Sequence, residues 1–233
     1  NNTAAMEMIL DNPIWHALST EHRDFNEGDE RLKYFYPEIS PFVAMADWDE
    51  ADKEYLAEKL PPDRNFFYIT AQSLELPARC KRGFTIKLFQ LVCRKHLPFH
   101  LADIQIRSLG KADIPQMIEL TALTKPGPFN QRTIEFGNYI GVFDRERLVA
   151  MAGERLKFPG YTEVSAICTH PDYSGRRYSA ALLSQATARI VSEGQTPFLH
   201  VRNDNKRAID LYEQAGYEIR CEMDFAIFKM TPG

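Results

Sequence analysis

The stretch that decides the fold is residues 163–183, EVSAICTHPDYSGRRYSAALL. Its opening residues have the β-rich composition of a strand, and the proline and glycine that follow mark a turn at Gly175. Beyond the turn, apolar residues recur at spacings of three and four, which indicates a helix with one buried face. We therefore expect a strand near 161–169, a short polar corner, and a helix near 176–192.

The corner between this strand and this helix has the features of an anion site. The first backbone N–H groups of a helix lack partners inside the helix, and the helix dipole makes that end positive. Gly175 permits a close backbone approach, while Arg176 and Arg177 add formal charge. A phosphate or diphosphate fits such a corner. The alternative is a tight turn whose arginines face solvent.

A second informative stretch covers residues 194–217, GQTPFLHVRNDNKRAIDLYEQAGY. Ala208 and Tyr212 lie on one face of the helix it predicts, and Gly216 suits a left-handed helix end. Asn205, near the helix start, either caps the helix or bonds a ligand amide. By its position, Tyr212 fits a core aromatic residue.

These stretches together resemble the GNAT superfamily of acyl-CoA-dependent N-acyltransferases, over about residues 103–230. The diphosphate loop of that family, [QR]-x-x-G-x-[GA], aligns with residues 174–179, where Ser174, Arg177 and Ser179 depart from the pattern. The second family motif, N-x-x-A-x-x-[LF]-Y-x-x-x-G-[FY], is complete at Asn205, Ala208, Leu211, Tyr212, Gly216 and Tyr217.

The resemblance implies acetyl-CoA as the cosubstrate and no metal. It also implies that the fourth and fifth strands of the family's sheet separate, so that the pantetheine arm lies between them. The cofactor-binding residues it implies are Ile167, Cys168, Thr169, Ser174, Gly175, Arg176, Arg177, Tyr178, Ser179, Asn205, Ala208 and Tyr212.

Three residues are candidates for the catalytic chemistry. In the family, the residue that matches Tyr212 commonly protonates the leaving thiolate. Some members place a basic glutamate where Glu163 stands, and strand alternation puts Glu163 on the face opposite Val164, Ala166 and Cys168 unless a β-bulge shifts it. Glu154, on the preceding strand, is the rival base. If the two strands pair antiparallel, both carboxylates are expected to approach one cleft; salt bridges are the alternative.

The expected fold class is α+β: a GNAT-like mixed, mostly antiparallel sheet flanked by helices. We expect an acyltransferase domain over residues 101–233, ending in a strand pair near 217–229. Residues 1–100 are expected to form a smaller α/β half-domain, as in the glycine-N-acyltransferase-like subset of the superfamily. The loop LTKPGPFNQRT, 123–133, also resembles that subset, in which acceptors enter at this loop.

Composition excludes several function classes. The net charge of −4 and the pI of about 5.9 argue against a nucleic-acid binder. There is no signal-peptide pattern or membrane-spanning run, so we expect a cytoplasmic protein with no membrane partner, monomeric or homodimeric. Its four cysteines predict free thiols. The spacing of Cys80, Cys93, His96 and His100 is a weak zinc pattern, because one strand separates the two cysteines.

The function that the resemblance implies is N-acetylation. An acetyl group would pass from acetyl-CoA to a primary amine of an unidentified small molecule or peptide, by direct attack of the amine. The alternative is a non-catalytic acyl-CoA-binding or sensing module, and a third hypothesis is a structural or interaction protein with an inactive cofactor site.

Overall fold

The fold is described from a computed structural model that places residues 2–62 and 64–233. In this part of the chain, six α-helices and ten strands are joined by turns and short 3₁₀ helices. The helices are α1 (Asn2–Glu7), α2 (Pro13–Ser19), α3 (Glu50–Lys59), α4 (Ile114–Thr124), α5 (Tyr178–Ser192) and α6 (Lys206–Gln214). The strands are β1 (Leu32–Tyr34), β2 (Val43–Met45), β3 (Phe66–Thr70), β4 (Cys80–Cys93), β5 (Ile106–Ser108), β6 (Ile140–Asp144), β7 (Arg147–Phe158), β8 (Tyr161–Thr169), β9 (Thr196–Arg202) and β10 (Tyr217–Met230).

Eight strands form one sheet, in the order β3-β10-β4-β9-β8-β7-β6-β5, while β1 and β2 pair with each other. Every neighbouring pair in the large sheet is antiparallel except β8 and β9, which run parallel. The parallel pair is connected through α5, as a β-α-β crossover requires. The expected α+β class, with a mixed and mostly antiparallel sheet, is confirmed.

The two faces of the sheet are covered by different helices. On one face, Leu183 of α5 packs in a buried cluster with Val164 of β8. On the other face, Leu18 of α2 and Met117 of α4 belong to a cluster that contains Met151 of β7. Each fully buried side chain of this kind contributes about 1.5–3 kcal/mol. No helix in the described residues is both long and apolar enough to cross a bilayer.

The N-terminal half of the chain contributes two strands to the same sheet. β4 lies between β9 and β10 and pairs with both, and β3 pairs with the other edge of β10. The predicted boundary between two domains near residue 100 stays a prediction. The sheet itself runs across that position, because both edges of the long strand β4 are hydrogen-bonded to strands from the C-terminal half.

The last part of the chain differs from the expected strand pair near 217–229. β10 is a single 14-residue strand with register shifts between Ile219 and Cys221 and between Ala226 and Phe228. Its sequence, YEIRCEMDFAIFKM, contains no glycine or proline to turn the chain. The prediction of a strand pair is therefore wrong. The register shifts let β10 stay one strand where its pairing with β4 is irregular.

Candidate active site

The site begins where β8 and β9 separate. The two strands pair only over Tyr161–Glu163 and Thr196–Phe198. Beyond that point β8 continues to Thr169 and β9 to Arg202, with no ladder between them. The expected separation of these strands is confirmed. It leaves backbone N–H and C=O groups on the facing edges free to bond an extended ligand.

A β-bulge in β8 lies beside the opening. The pairing with β7 passes from Met151–Cys168 to Gly153–Ser165, so β8 carries one extra residue, and Ala166 takes a left-handed φ of 54°. As a result Val164 packs under α5, whereas Cys168 packs in the cluster on the opposite face. The expectation that Val164, Ala166 and Cys168 share one core face is wrong, because the bulge reverses the alternation.

The corner after β8 presents a row of backbone donors. Gly175 and Arg177 have φ values of 82° and 65°, and α5 begins at Tyr178 without a side-chain cap. In the described chain, none of the backbone N–H groups of residues 175–180 donates to another protein group. Such a row at a helix N-terminus, with its positive dipole end, is an anion-binding arrangement.

The arginines of this corner differ in position. The Arg177 guanidinium lies over the Phe99 ring, 4.0 Å from its centroid, and lines the cleft described below. The Arg176 guanidinium lies over the Tyr173 ring and is outside the lining of the cleft. The sequence-based analysis missed Arg207, whose Nη2 lies 3.4 Å from Ser174 Oγ. The sequence signal that could have identified Arg207 is its position in the first turn of α6, two residues after Asn205.

The opening between β8 and β9 widens into a cleft of about 1750 Å³. One end is walled by the corner and by α6, and the other by β3, β4, β10 and the loop from Lys125 to Asn130. The structure brings together at this cleft eleven of the twelve expected cofactor-binding residues, all except Arg176: Ile167, Cys168, Thr169, Ser174, Gly175, Arg177, Tyr178, Ser179, Asn205, Ala208 and Tyr212.

Helix α6 presents two of these residues through its local structure. Asn205 is the N-cap, and its Oδ1 accepts a hydrogen bond of 3.2 Å from the Ala208 N–H. The cap uses the amide oxygen and leaves the Nδ2 group for a ligand. Tyr212 lies two turns along the helix, and burial raises its pKa to about 12. The phenol therefore stays protonated at neutral pH.

Glu163 is fully buried, and its carboxylate has two side-chain partners besides the backbone N–H of Leu156. Arg155 Nε and Nη2 donate to Oε1 and Oε2 at 2.5 and 2.9 Å, and His200 Nδ1 lies 2.6 Å from Oε2. Burial acts to raise the pKa of Glu163, but the Arg155 charge and the hydrogen bonds from Arg155 and His200 outweigh it and lower the pKa to about 2. A carboxylate stabilised in this way is a weak base.

The orientation of His200 follows from a chain of hydrogen bonds. Arg220 Nη1 donates to Gln90 Oε1 at 3.0 Å, which assigns the amide nitrogen of Gln90 to its other side. That nitrogen donates to Leu10 O at 2.8 Å and to His200 Nε2 at 3.1 Å. His200 therefore carries its proton on Nδ1 and donates it to Glu163. The residues that these hydrogen bonds join come from segments far apart in the sequence, so sequence analysis could not connect them.

Glu154 is on the opposite face of the sheet from Glu163. It pairs with Val164 in the β7–β8 ladder, and paired residues share a face, whereas the consecutive residues Glu163 and Val164 do not. Its Oε2 accepts from Asn138 Nδ2 at 2.7 Å, and Arg189 Nε of α5 lies 3.6 Å from Oε1. The expectation that both carboxylates approach one cleft is therefore wrong.

The cysteines do not support a nucleophile or a metal site. Burial raises the pKa of the Cys168 thiol to about 11, so the thiolate needed for a covalent relay is scarce. Cys80 and Cys93 lie at opposite ends of β4. Across residues 2–62 and 64–233 there is no cluster of three or more His, Cys, Asp or Glu residues that could hold a metal ion.

Comparisons with known proteins agree with this geometry. Residues 139–226 match the family described as FR47-like protein. A crystal structure from Novosphingobium aromaticivorans, classed as an acetyltransferase of the GNAT family, is 31% identical, with a TM-score of 0.88 over 96% of this chain and 99% of that one. No match was found among curated proteins.

Two further structures share the fold at lower identity. A GCN5-related N-acetyltransferase from Kribbella flavida is 14% identical, with a TM-score of 0.58 over 94% of this chain and 96% of that one. A GNAT-family acetyltransferase from Colwellia psychrerythraea is 13% identical, with a TM-score of 0.51 over 92% and 96%. The separated strands, the donor-rich corner and the full-length match to the Novosphingobium protein lead to one conclusion: this chain belongs to the GNAT family of acetyltransferases.

Proposed function

We propose that this protein transfers an acetyl group from acetyl-CoA to a primary amine by direct attack of the amine. The observation that carries the proposal is the continuity of the open β8–β9 edge with the row of free N–H groups at residues 175–180. An extended arm that ends in a diphosphate matches this arrangement in both shape and charge.

The residues that would hold the cosubstrate follow from this arrangement. The N–H groups of residues 175–180, with Arg177 and Arg207, would bind the diphosphate. The open edge of β8 beyond the bulge at Ala166 would bond the pantetheine amides as an additional strand does. The Nδ2 group of Asn205, which its capping role leaves free, is a further donor to that arm.

The reaction then needs an oxyanion donor and an acid. The amine nitrogen would bond to the acetyl carbon to form a tetrahedral intermediate, and collapse of that intermediate would break the C–S bond. A backbone N–H near Ile167–Thr169 would stabilise the oxyanion that develops. Tyr212 would give its phenolic proton to the leaving thiolate, because a phenol that stays protonated at neutral pH is available as a donor. The proton that the nitrogen sheds as the amide forms would pass through water and restore the phenol of Tyr212.

Loss of the amine proton is proposed to depend on the charge of the cleft. Lys125 lines the end where the acceptor loop lies, and its positive charge would lower the pKa of a bound ammonium, whereas the charge of Arg155 is balanced by Glu163. The amine would lose its proton to water before the attack. Glu163, proposed from the sequence as the base, would instead position Arg155 and His200, and Glu154 would serve only its contacts with Asn138, Lys157 and Arg189.

The test is a thiol-release assay with acetyl-CoA and a panel of primary amines, combined with thermal-shift measurements. Turnover with at least one amine and stabilisation by acetyl-CoA are expected. The second candidate, a non-catalytic acyl-CoA-binding module, is favoured by the pairing of Glu163 with Arg155, which leaves no free carboxylate base. It predicts stabilisation by acetyl-CoA with no thiol release from any amine.

A further inference from the structure

The end of the cleft away from the diphosphate corner has an apolar wall. Its side chains come from one face of three adjacent strands, so the N-terminal half of the chain builds much of this end. Seven apolar residues of β3, β4 and β10 line it: Phe67, Ile69, Phe84, Ile86, Leu88, Phe225 and Ile227.

Three phenylalanines of this wall form a continuous aromatic surface. Phe67 and Phe225 are in edge contact, with ring centroids 5.4 Å apart, and Phe84 lies 6.2 Å from Phe225 on the other side. The side chain of Phe84 is 54% exposed. A large exposed aromatic ring that extends a buried apolar wall is typical of a surface that binds an apolar group.

The charges at this end are positive. Lys125 and Arg155 line it, and among the described residues that line the whole cleft the one acidic side chain is Asp210. Asp210 belongs to α6, at the other end of the cleft beside Arg207. Because Glu163 already balances the charge of Arg155, the uncompensated positive charge at this end is that of Lys125, and an acceptor with several ammonium groups would meet it without a carboxylate in the lining to bind.

Arg155 retains one free group. Glu163 occupies its Nε and Nη2, whereas Nη1 donates to no other group of the described chain. Nη1 lies under the acceptor loop, 3.7 Å from where a Cβ on Gly127 would stand. A guanidinium nitrogen in this position can donate a charge-assisted hydrogen bond to a carboxylate of the substrate.

We propose that the acceptor is an amino acid or a close analogue: a primary amine that carries a carboxylate and an aromatic or branched aliphatic body. The carboxylate binds Arg155 Nη1, the body packs on the wall of Phe67, Phe84 and Phe225, and the amine points toward the bulge of β8. This inference rests on the function proposed above and specifies its substrate class.

The first test compares kcat/KM for five amines at saturating acetyl-CoA: L-phenylalanine, L-leucine, glycine, phenethylamine and spermidine. We expect phenylalanine and leucine to exceed both glycine, which lacks the body, and phenethylamine, which lacks the carboxylate, by tenfold or more. A preference for spermidine, glycine or phenethylamine would overturn the substrate class while leaving the acetyltransferase assignment intact. Absence of thiol release with every amine would overturn both.

The second test changes the wall and uses a matched surface control. Phe84→Ala removes an exposed ring and should fold normally; it should raise the KM for phenylalanine five- to tenfold and leave the KM for acetyl-CoA unchanged. Val191→Ala, at a similarly exposed residue outside the cleft, should change neither. If Phe84→Ala instead impairs only the use of octanoyl-CoA, the wall holds the acyl chain and the proposal is wrong.

Discussion

Arg155 holds both carboxylate oxygens of Glu163, through Nε at 2.5 Å and Nη2 at 2.9 Å. The pair joins β7 to β8 at the last residue of β8 that pairs with β9. On the other side of β8, Nδ1 of His200 in β9 lies within hydrogen-bond distance of the Glu163 carboxylate. One buried ion pair thus connects three strands at the point where two of them separate to form the cleft.

Glu163→Gln should destabilise the protein strongly. The variant leaves the buried Arg155 guanidinium without a counter-charge, and breaking a buried pair in this way costs about 3–5 kcal/mol. Urea denaturation would measure the loss. In the double variant Arg155→Met/Glu163→Gln no charge is left unpaired, so its loss should be smaller than that of Glu163→Gln alone. A wild-type unfolding midpoint for Glu163→Gln would contradict the anchoring role.

The same pair predicts the response of stability to acid. The pKa of Glu163 is about 2 in the folded protein, below its ordinary value of 4.5, so its contribution to stability is present above about pH 4.5. That contribution is lost as the pH falls from about 4.5 toward 2. The free energy of unfolding should therefore fall more steeply over this range in wild type than in Glu163→Gln. Equal slopes would show that the carboxylate is not stabilised by its partners.

Tyr212→Phe should reduce kcat by about 100-fold or more, because the removal of a general acid typically costs 10²–10⁴-fold. The KM for acetyl-CoA should change little, since the ring that packs in the cleft is kept. Steady-state kinetics with a single amine would measure both constants. Tyr178→Phe, which also changes a tyrosine that lines the cleft, is the control. An unchanged kcat in Tyr212→Phe would remove Tyr212 from the mechanism.

Arg177 lies at the loop position where the family pattern has glycine, and it has a left-handed φ of 65°. Arg177→Gly should relieve backbone strain of about 1 kcal/mol or more, whereas Arg177→Ala retains that strain. Thermal unfolding should therefore rank Gly above Ala in stability. Both variants lose the charge, so both should raise the KM for acetyl-CoA. If only the alanine variant binds acetyl-CoA weakly, the contribution of the position is conformational.

Asn205 caps α6 and is proposed to bond the pantetheine arm, and paired substitutions can distinguish these two roles. Asn205→Asp keeps the oxygen that caps α6 and should retain wild-type stability, whereas Asn205→Ala should lose about 1 kcal/mol. Both variants remove the Nδ2 donor, and both should raise the KM for acetyl-CoA. Thermal unfolding and steady-state kinetics measure the two effects. An unchanged KM in Asn205→Asp would limit Asn205 to the cap.

Much of the proposed cofactor end of the site could be predicted from the sequence, because its backbone geometry is local. The bounds of β8, the turn at Gly175 and the cap of α6 at Asn205 each depend on neighbours within a few residues. Helix periodicity and glycine positions report such short-range geometry directly. The twelve expected cofactor-binding residues were implied by the resemblance to the GNAT superfamily, and eleven of them line one cleft.

The proposed acceptor end of the cleft and the placement of the Glu154 and Glu163 carboxylates depend on contacts between segments far apart in the sequence. The bulge at Ala166 reversed the faces of β8, the ladder register placed Glu154 and Glu163 on opposite sides of the sheet, and β4 entered the sheet between β9 and β10. Strand register and strand order are set by pairing free energies summed over residues that can be a hundred positions apart. No local sequence pattern carries that information. Only the tertiary structure revealed that a strand from the N-terminal half, β4, lines the cleft and that Arg155 pairs with Glu163, the predicted base.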